Sequence, residues 1–160
     1  WVGTMAELSK LDTALVEQWL REARVAFDLC GECEGLHIRA LRSLDGAIDS
    51  RLFLERYGLL LTTELEIRPM ALLAVSADLG RLNMEFPTLK VFLDVVDDAT
   101  PQLVIAGVLP ASPGLALQQF AAFIAMTMEA TRQLAEDCLQ QDYLFPASDN
   151  GQAGPSTALH

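Results

Sequence analysis

Between Ala99 and Met128 the chain carries no charged residue. The segment reads ATPQLVIAGVLPASPGLALQQFAAFIAMTM, and it constrains the fold more than any other stretch. A membrane helix needs about 18 or more consecutive apolar residues. Pro101, Gly107, Pro110, Pro113 and Gly114 interrupt the run before that length is reached. They divide it into an apolar strand, a turn and the opening of an apolar helix. The segment therefore reads as the core of a soluble domain, with apolar helix surface left over for a partner.

At 160 residues, one domain is the simplest arrangement, and a core can be buried without disulfide or metal staples. It is placed at residues 5–145. Residues 1–4 precede Met5 and read as a remnant of preparation, and 146–160, PASDNGQAGPSTALH, reads as a flexible tail. The 22 acidic residues outnumber the 11 basic ones. That balance repels phosphate backbones and anionic lipid, so neither nucleic acid nor membrane is an expected partner. It suits basic or apolar polypeptides. The opening WVGTMAELSK has no secretory pattern, and three cysteines make no disulfide framework, so a cytoplasmic location is expected.

Apolar spacing predicts a first helix from Ser9 or Asp12 to Arg24, with Leu15 to Trp19 in its buried stripe and Asp12 as N-cap. Phe27 to Gly35 reads as a loop. Strands follow over Leu36–Arg42, Ile48–Tyr57 and Leu59–Arg68. In the last of these Leu59, Leu61, Thr63, Leu65 and Ile67 face one way, the signature of an antiparallel sheet with one wet face. A helix from Pro69 to about Asn83, strands over Leu89–Val95 and Leu103–Leu109, and a helix over Leu115–Gln141 complete the reading. The fifth strand is apolar on both sides and so is expected to be central or covered on both faces. The class is α+β, a mainly antiparallel five-stranded sheet in the order α-β-β-β-α-β-β-α.

The final helix carries a core stripe of Leu117, Phe120, Ala121, Ile124, Met128, Thr131, Ala135 and Cys138. Its other side, where a lone helix would be polar, carries Ala122, Met126 and Ala130 among Gln119, Glu129 and Gln133. Ala122, Phe123, Met126 and Ala130 are therefore the candidate protein interface, with Leu15 and Trp19 as further candidates.

This order, with GLHIRALRSLDG, RLFLERYGLLLTTELEIRP and LGRLNMEFPTLKVFLD, resembles the YbjN-like family of bacterial proteins over roughly Leu11 to Leu139. The resemblance implies a fold like that of type III secretion chaperones, which are small, acidic, cytoplasmic dimers that hold an extended client. It implies a chaperone-like or regulatory binder rather than an enzyme, a homodimer with an unidentified protein client, and no catalytic residues or cofactor. The 30–35 loop and the short third strand match no effector-binding motif of such chaperones.

Chemistry-bearing residues are few. Cys30-Gly31-Glu32-Cys33 followed by His37 raises a metal- or thiol-dependent protein as the alternative. Asp28, Glu32 and Glu34 nearby in sequence are expected to raise the thiol pKa, and zinc is left short of four ligands unless Cys138 approaches. Two incidental thiols in a tight loop is the simpler account, and no metal ligand is assigned. His37 alone reads as structural or surface. Asp94, Asp97 and Asp98 read as turn carboxylates, and Glu64 and Glu66 as a solvated strand face. Ser112 is a candidate cap for the last helix, with Pro113 following it. A scaffold subunit of a larger complex is the remaining alternative.

Overall fold

The computed structural model describes residues 7–97 and 99–145. Residues 1–6, Asp98 and residues 146–160, and with them the segments expected to be a remnant and a tail, lie outside the described residues. Four helices and six strands follow in the order α1 (Thr13–Glu22), β1 (Phe27–Leu29), β2 (Leu36–Ile38), α2 (Arg39–Arg42), β3 (Ala47–Glu55), β4 (Gly58–Glu66), α3 (Leu72–Glu85), β5 (Lys90–Asp94), β6 (Gln102–Pro110) and α4 (Leu117–Gln140). A 3₁₀ turn, Pro69–Ala71, leads into α3. The strands form one sheet in the order β1-β2-β3-β4-β6-β5, and every neighbouring pair is antiparallel.

The α+β class and antiparallel sheet agree with expectation, but the strand count is six, not five. The supposed loop contains β1, whose Phe27, Asp28 and Leu29 pair with Ile38, His37 and Leu36. Three residues are too few for a period of two to show in sequence. The strand expected to reach Arg42 stops at Ile38 because the chain turns into the single turn of α2. Helical spacing lets Ile38 and Leu41 reach the same core, where both are buried. In a continuous strand Leu41 would face the opposite side.

Alternation along β4 is as read: Leu59, Leu61, Thr63 and Leu65 are buried, and the residues between them are half-buried. The helices pack on that buried face. Two apolar clusters result. Val16, Trp19 and Leu20 of α1, Leu41, and Phe120 and Ile124 of α4 join Leu52, Leu59 and Leu61 in one. Val75 and Leu82 of α3, and Leu134, Ala135 and Cys138 of α4, join Leu65, Leu103, Ile105 and Val91 in the other. Each fully buried Leu or Phe contributes about 1.5–3 kcal/mol. β6 lies between β4 and β5, as expected of its apolar character, but helices cover one face only, and Val108 is exposed on the other.

Between the clusters runs a seam of small and hydroxyl side chains. Ser50 and Thr63 are both buried, and their hydroxyls are 3.0 Å apart across β3 and β4. On α4 the buried residues there are Thr127 and Thr131. On β6 the seam residue is Gly107, where an added Cβ would lie 2.6 Å from Thr127 Cγ2. α4 begins at Leu117 rather than Leu115, and its first turn is capped by Gln119, whose Oε1 accepts from the Ala116 N–H at 2.9 Å. Ser112 is exposed in the preceding turn and does not cap it. Asp12 caps α1 as expected, accepting from the Leu15 N–H at 2.8 Å.

Two polar devices fix α3. Asn83 accepts from the Val91 N–H and donates to the Val91 carbonyl, both at 2.9 Å, and also donates to the Leu79 carbonyl. Its side chain thus stands in for a missing strand along the sheet edge at β5. Arg81 donates to Asp78, to Glu85 and to Asp137 of α4, while the Tyr143 hydroxyl donates to Asp78 at 2.8 Å. The Arg81 bond and the Tyr143 bond hold the Asp78 carboxyl below its ordinary 3.8.

Replacing Asn83 by Leu leaves both Val91 backbone groups without their partner, and the expected loss is about 2 kcal/mol in urea unfolding. Because the folded pKa of Asp78 lies below the unfolded one, its contribution is complete above about pH 4 and disappears as pH falls through the folded value. Urea midpoints measured down this range should fall less steeply for Asp78→Asn than for the unmodified chain.

Candidate functional site

Two places on the molecule carry features that the core does not explain. The first is a groove of about 660 Å³ beside α4, lined by Leu8, Val108, Pro110, Ala122, Phe123 and Met126 among others. Among the described residues, no ionisable side chain lines it. It exists because β5 begins, at Lys90, opposite Ala106, so β6 from Gly107 onward has a strand neighbour on the β4 side only. The chain ahead of α1 forms the rim. Ser9 and Leu115 exchange backbone hydrogen bonds of 2.9 and 2.8 Å, which pins Leu8 beside the groove. Gly114, at φ +113°, lies against the Ser9 carbonyl and permits this approach. Met126 is 60% exposed and Leu8 51%.

Of the interface residues expected from sequence, Ala122, Phe123 and Met126 share this groove. Ala130 packs toward the Leu134 cluster instead. Leu15 leans on the α1 core. Trp19 is only 6% exposed, and its ring lies 5.5 Å from that of Phe120, so it is core and has no free face for a partner. Helical spacing identified Trp19 as part of a stripe but could not say which side of the stripe was covered.

The second place is on the opposite, helix-free face of the sheet. Strand register runs one row of side chains across the sheet: Asp28, His37, Arg51, Thr62, Ala106 and Lys90. At the β2 end of this row the Cys-x-x-Cys loop folds back over His37. Cys33 Sγ is 3.3 Å from His37 Nε2, and the donor atoms of Cys30, Cys33 and His37 all lie within 4.8 Å of one another. His37 Nδ1 is 2.8 Å from Asp49 Oδ1 on β3. The same carboxylate oxygen accepts the Ser50 N–H at 2.8 Å, and Arg51 Nε is 3.8 Å from Asp49 Oδ2.

The electrostatics differ from the sequence expectation. The Cys33 thiol and the His37 ring hold the Cys30 thiol down to about 7, rather than raised. Cys33 moves the other way, raised chiefly by Cys30 and by burial. His37 is raised, first by its bond to Asp49 and then by Cys30. Of the carboxylates expected to oppose the thiolate, Asp28 is taken by Arg39, at 2.6–2.9 Å, and by Arg42. Glu32 and Glu34 are exposed. His37 is thus one member of a Cys-Cys-His-Asp set and not a solitary histidine. Cys138 lies in the core and does not join it.

Asp49 was not singled out from the sequence. Nothing local marks it, because its partner is 12 residues away and the link exists only through pairing of β2 with β3. Glu64 lies on the wet sheet face as expected, paired with Arg51 at 3.2 Å. Asp94, the last residue of β5, and Asp97 beyond it are exposed.

The YbjN family, described as "Putative bacterial sensory transduction regulator", matches residues 12–140. "Uncharacterized protein YbjN" of Escherichia coli (strain K12) is 33% identical over 142 residues, covering 89% of this chain and 89% of the relative. The protein of that name from Shigella flexneri matches to the same extent. A solved structure described as "Crystal structure of YbjN, a putative transcription regulator from E. coli" is 30% identical, with a TM-score of 0.84 over 88% of this chain and 100% of that one. The family resemblance read from the sequence is borne out, and this chain belongs to the YbjN family of bacterial proteins.

Proposed function

We propose that this chain is a non-enzymatic regulatory protein of the cytoplasm that works by binding protein, in a chaperone-like manner, as a homodimer joined through the α4 groove. The observation that carries this reading is the uncharged character of the groove on a chain of net charge −11. Copies of so acidic a protein repel one another over most orientations. The groove is a surface across which two copies meet without opposing carboxylates. Its small residues, Ala122 and Gly114, admit close approach, and the exposed Met126 adapts to an irregular partner. The adjoining stretch of β6 with one strand neighbour offers backbone groups to the same contact.

The relatives' descriptions name no enzymatic activity and speak of regulation, in keeping with a binding role. No described helix is long and apolar enough to cross a membrane. With the dimer formed, the acidic outer surfaces remain free, and the client class they favour is a basic or apolar polypeptide.

Sedimentation and light scattering at micromolar concentration should give a dimer. Met126→Asp places a carboxylate in the uncharged groove of both copies and should weaken association by at least about tenfold. A chain that is monomeric across this range, or a dimer indifferent to Met126→Asp, would refute the proposal.

A further inference from the structure

We propose that Cys30, Cys33 and His37 form a binding site for a zinc-class divalent metal ion, with Asp49 as the residue that positions His37. This site is on the helix-free face of the sheet, and the reading is independent of the α4 groove.

The donor set comes first. Two sulfurs and one imidazole nitrogen are soft to borderline ligands, suited to zinc and unsuited to magnesium or calcium. Two thiolates with a neutral imidazole balance a divalent charge. Tetrahedral zinc, with bonds of about 2.3 Å to sulfur and 2.0–2.1 Å to nitrogen, requires donors roughly 3.5–3.8 Å apart. Cys33 Sγ and His37 Nε2 are 3.3 Å apart, and the whole set spans no more than 4.8 Å. Small rotations of two thiols in a half-buried loop are enough to close on an ion.

The support behind the ligands is the second argument. A carboxylate on Nδ1 fixes the tautomer, so the Nε2 lone pair faces the thiols. The carboxylate is itself held by the Ser50 N–H and flanked by Arg51. His37 and Asp49 both stand on paired strands, so the nitrogen end of the site is rigid, and the Cys loop is the part that adapts. Gly31 has nothing within 4 Å of an added Cβ, which leaves the loop side open. The fourth coordination position therefore falls to water or to an external ligand.

The test uses the full chain, reduced and stripped with chelator, and titrated with cobalt(II). One equivalent should give a sulfur-to-cobalt charge-transfer band with tetrahedral ligand-field bands, all displaced by zinc. Cys30→Ser and Cys33→Ser should each lower the charge-transfer band of the parent spectrum by about half or more, and the double variant should abolish it. Asp49→Asn should keep the band and weaken cobalt affinity about 10–100-fold. Cys138→Ala should leave the titration unchanged. Should a loop variant fail to fold by circular dichroism, zinc protection of Cys30 and Cys33 from alkylation in the unmodified chain gives the same answer. The proposal is overturned by a reduced native chain with no stoichiometric cobalt band, by a band that survives Cys33→Ser unaltered, or by thiols alkylated at one rate with and without zinc.

Discussion

The contact between Gly107 and Thr127 is the one on which the rest of this fold depends. A Cβ on residue 107 would sit 2.6 Å from the threonine methyl, so the missing side chain is what lets α4 settle onto the sheet at its midpoint. From that point the helix reaches both ways. Phe120 and Ile124 close the core over Leu59 and Leu61, and Leu134 and Cys138 close it over Leu65 and Leu103. The small hydroxyl residues at the seam are the consequence. Where backbone approaches backbone, there is room for Ser50, Thr63, Thr127 and Thr131 but not for leucine. α1 and α2 then cover one half, and α3 the other, held by Arg81 between Asp78 and Asp137.

Placing every helix on one face leaves a two-layer molecule with two unlike free surfaces. Beside α4, the sheet runs further than β5 can cover it, and an uncharged groove remains. On the far face, strand register gathers polar groups that are distant in the chain, and the Cys loop returns over them. One surface is uncharged and the other carries the Cys30, Cys33 and His37 cluster, and the sheet lies between them.

Much of the fold was legible because periodicity survives into the structure. The alternation of β4 and the cap at Asp12 are local facts, decided within a few residues. β1 was not legible, since Phe27-Asp28-Leu29 is defined by what it pairs with and not by its own pattern. The end of β2 was misjudged because burying Leu41 outweighs continuing the strand. Of the interface candidates, Ala122, Phe123 and Met126 line one groove, but spacing could not tell that Trp19 was already covered by Phe120.

The charge-free run, the acidic balance and the period-two strand together determined that this chain builds an antiparallel α+β core with uncharged surface to spare, because hydrophobic spacing and charge act wherever the chain goes. Tertiary structure alone decided the environment of the thiols. Sequence neighbours suggested carboxylates opposing them, yet Asp28 is neutralised by Arg39 and Arg42, and the group that matters, Asp49, arrives from the next strand. Electrostatic interactions depend on distance in space, and only the pairing of β2 with β3 sets that distance.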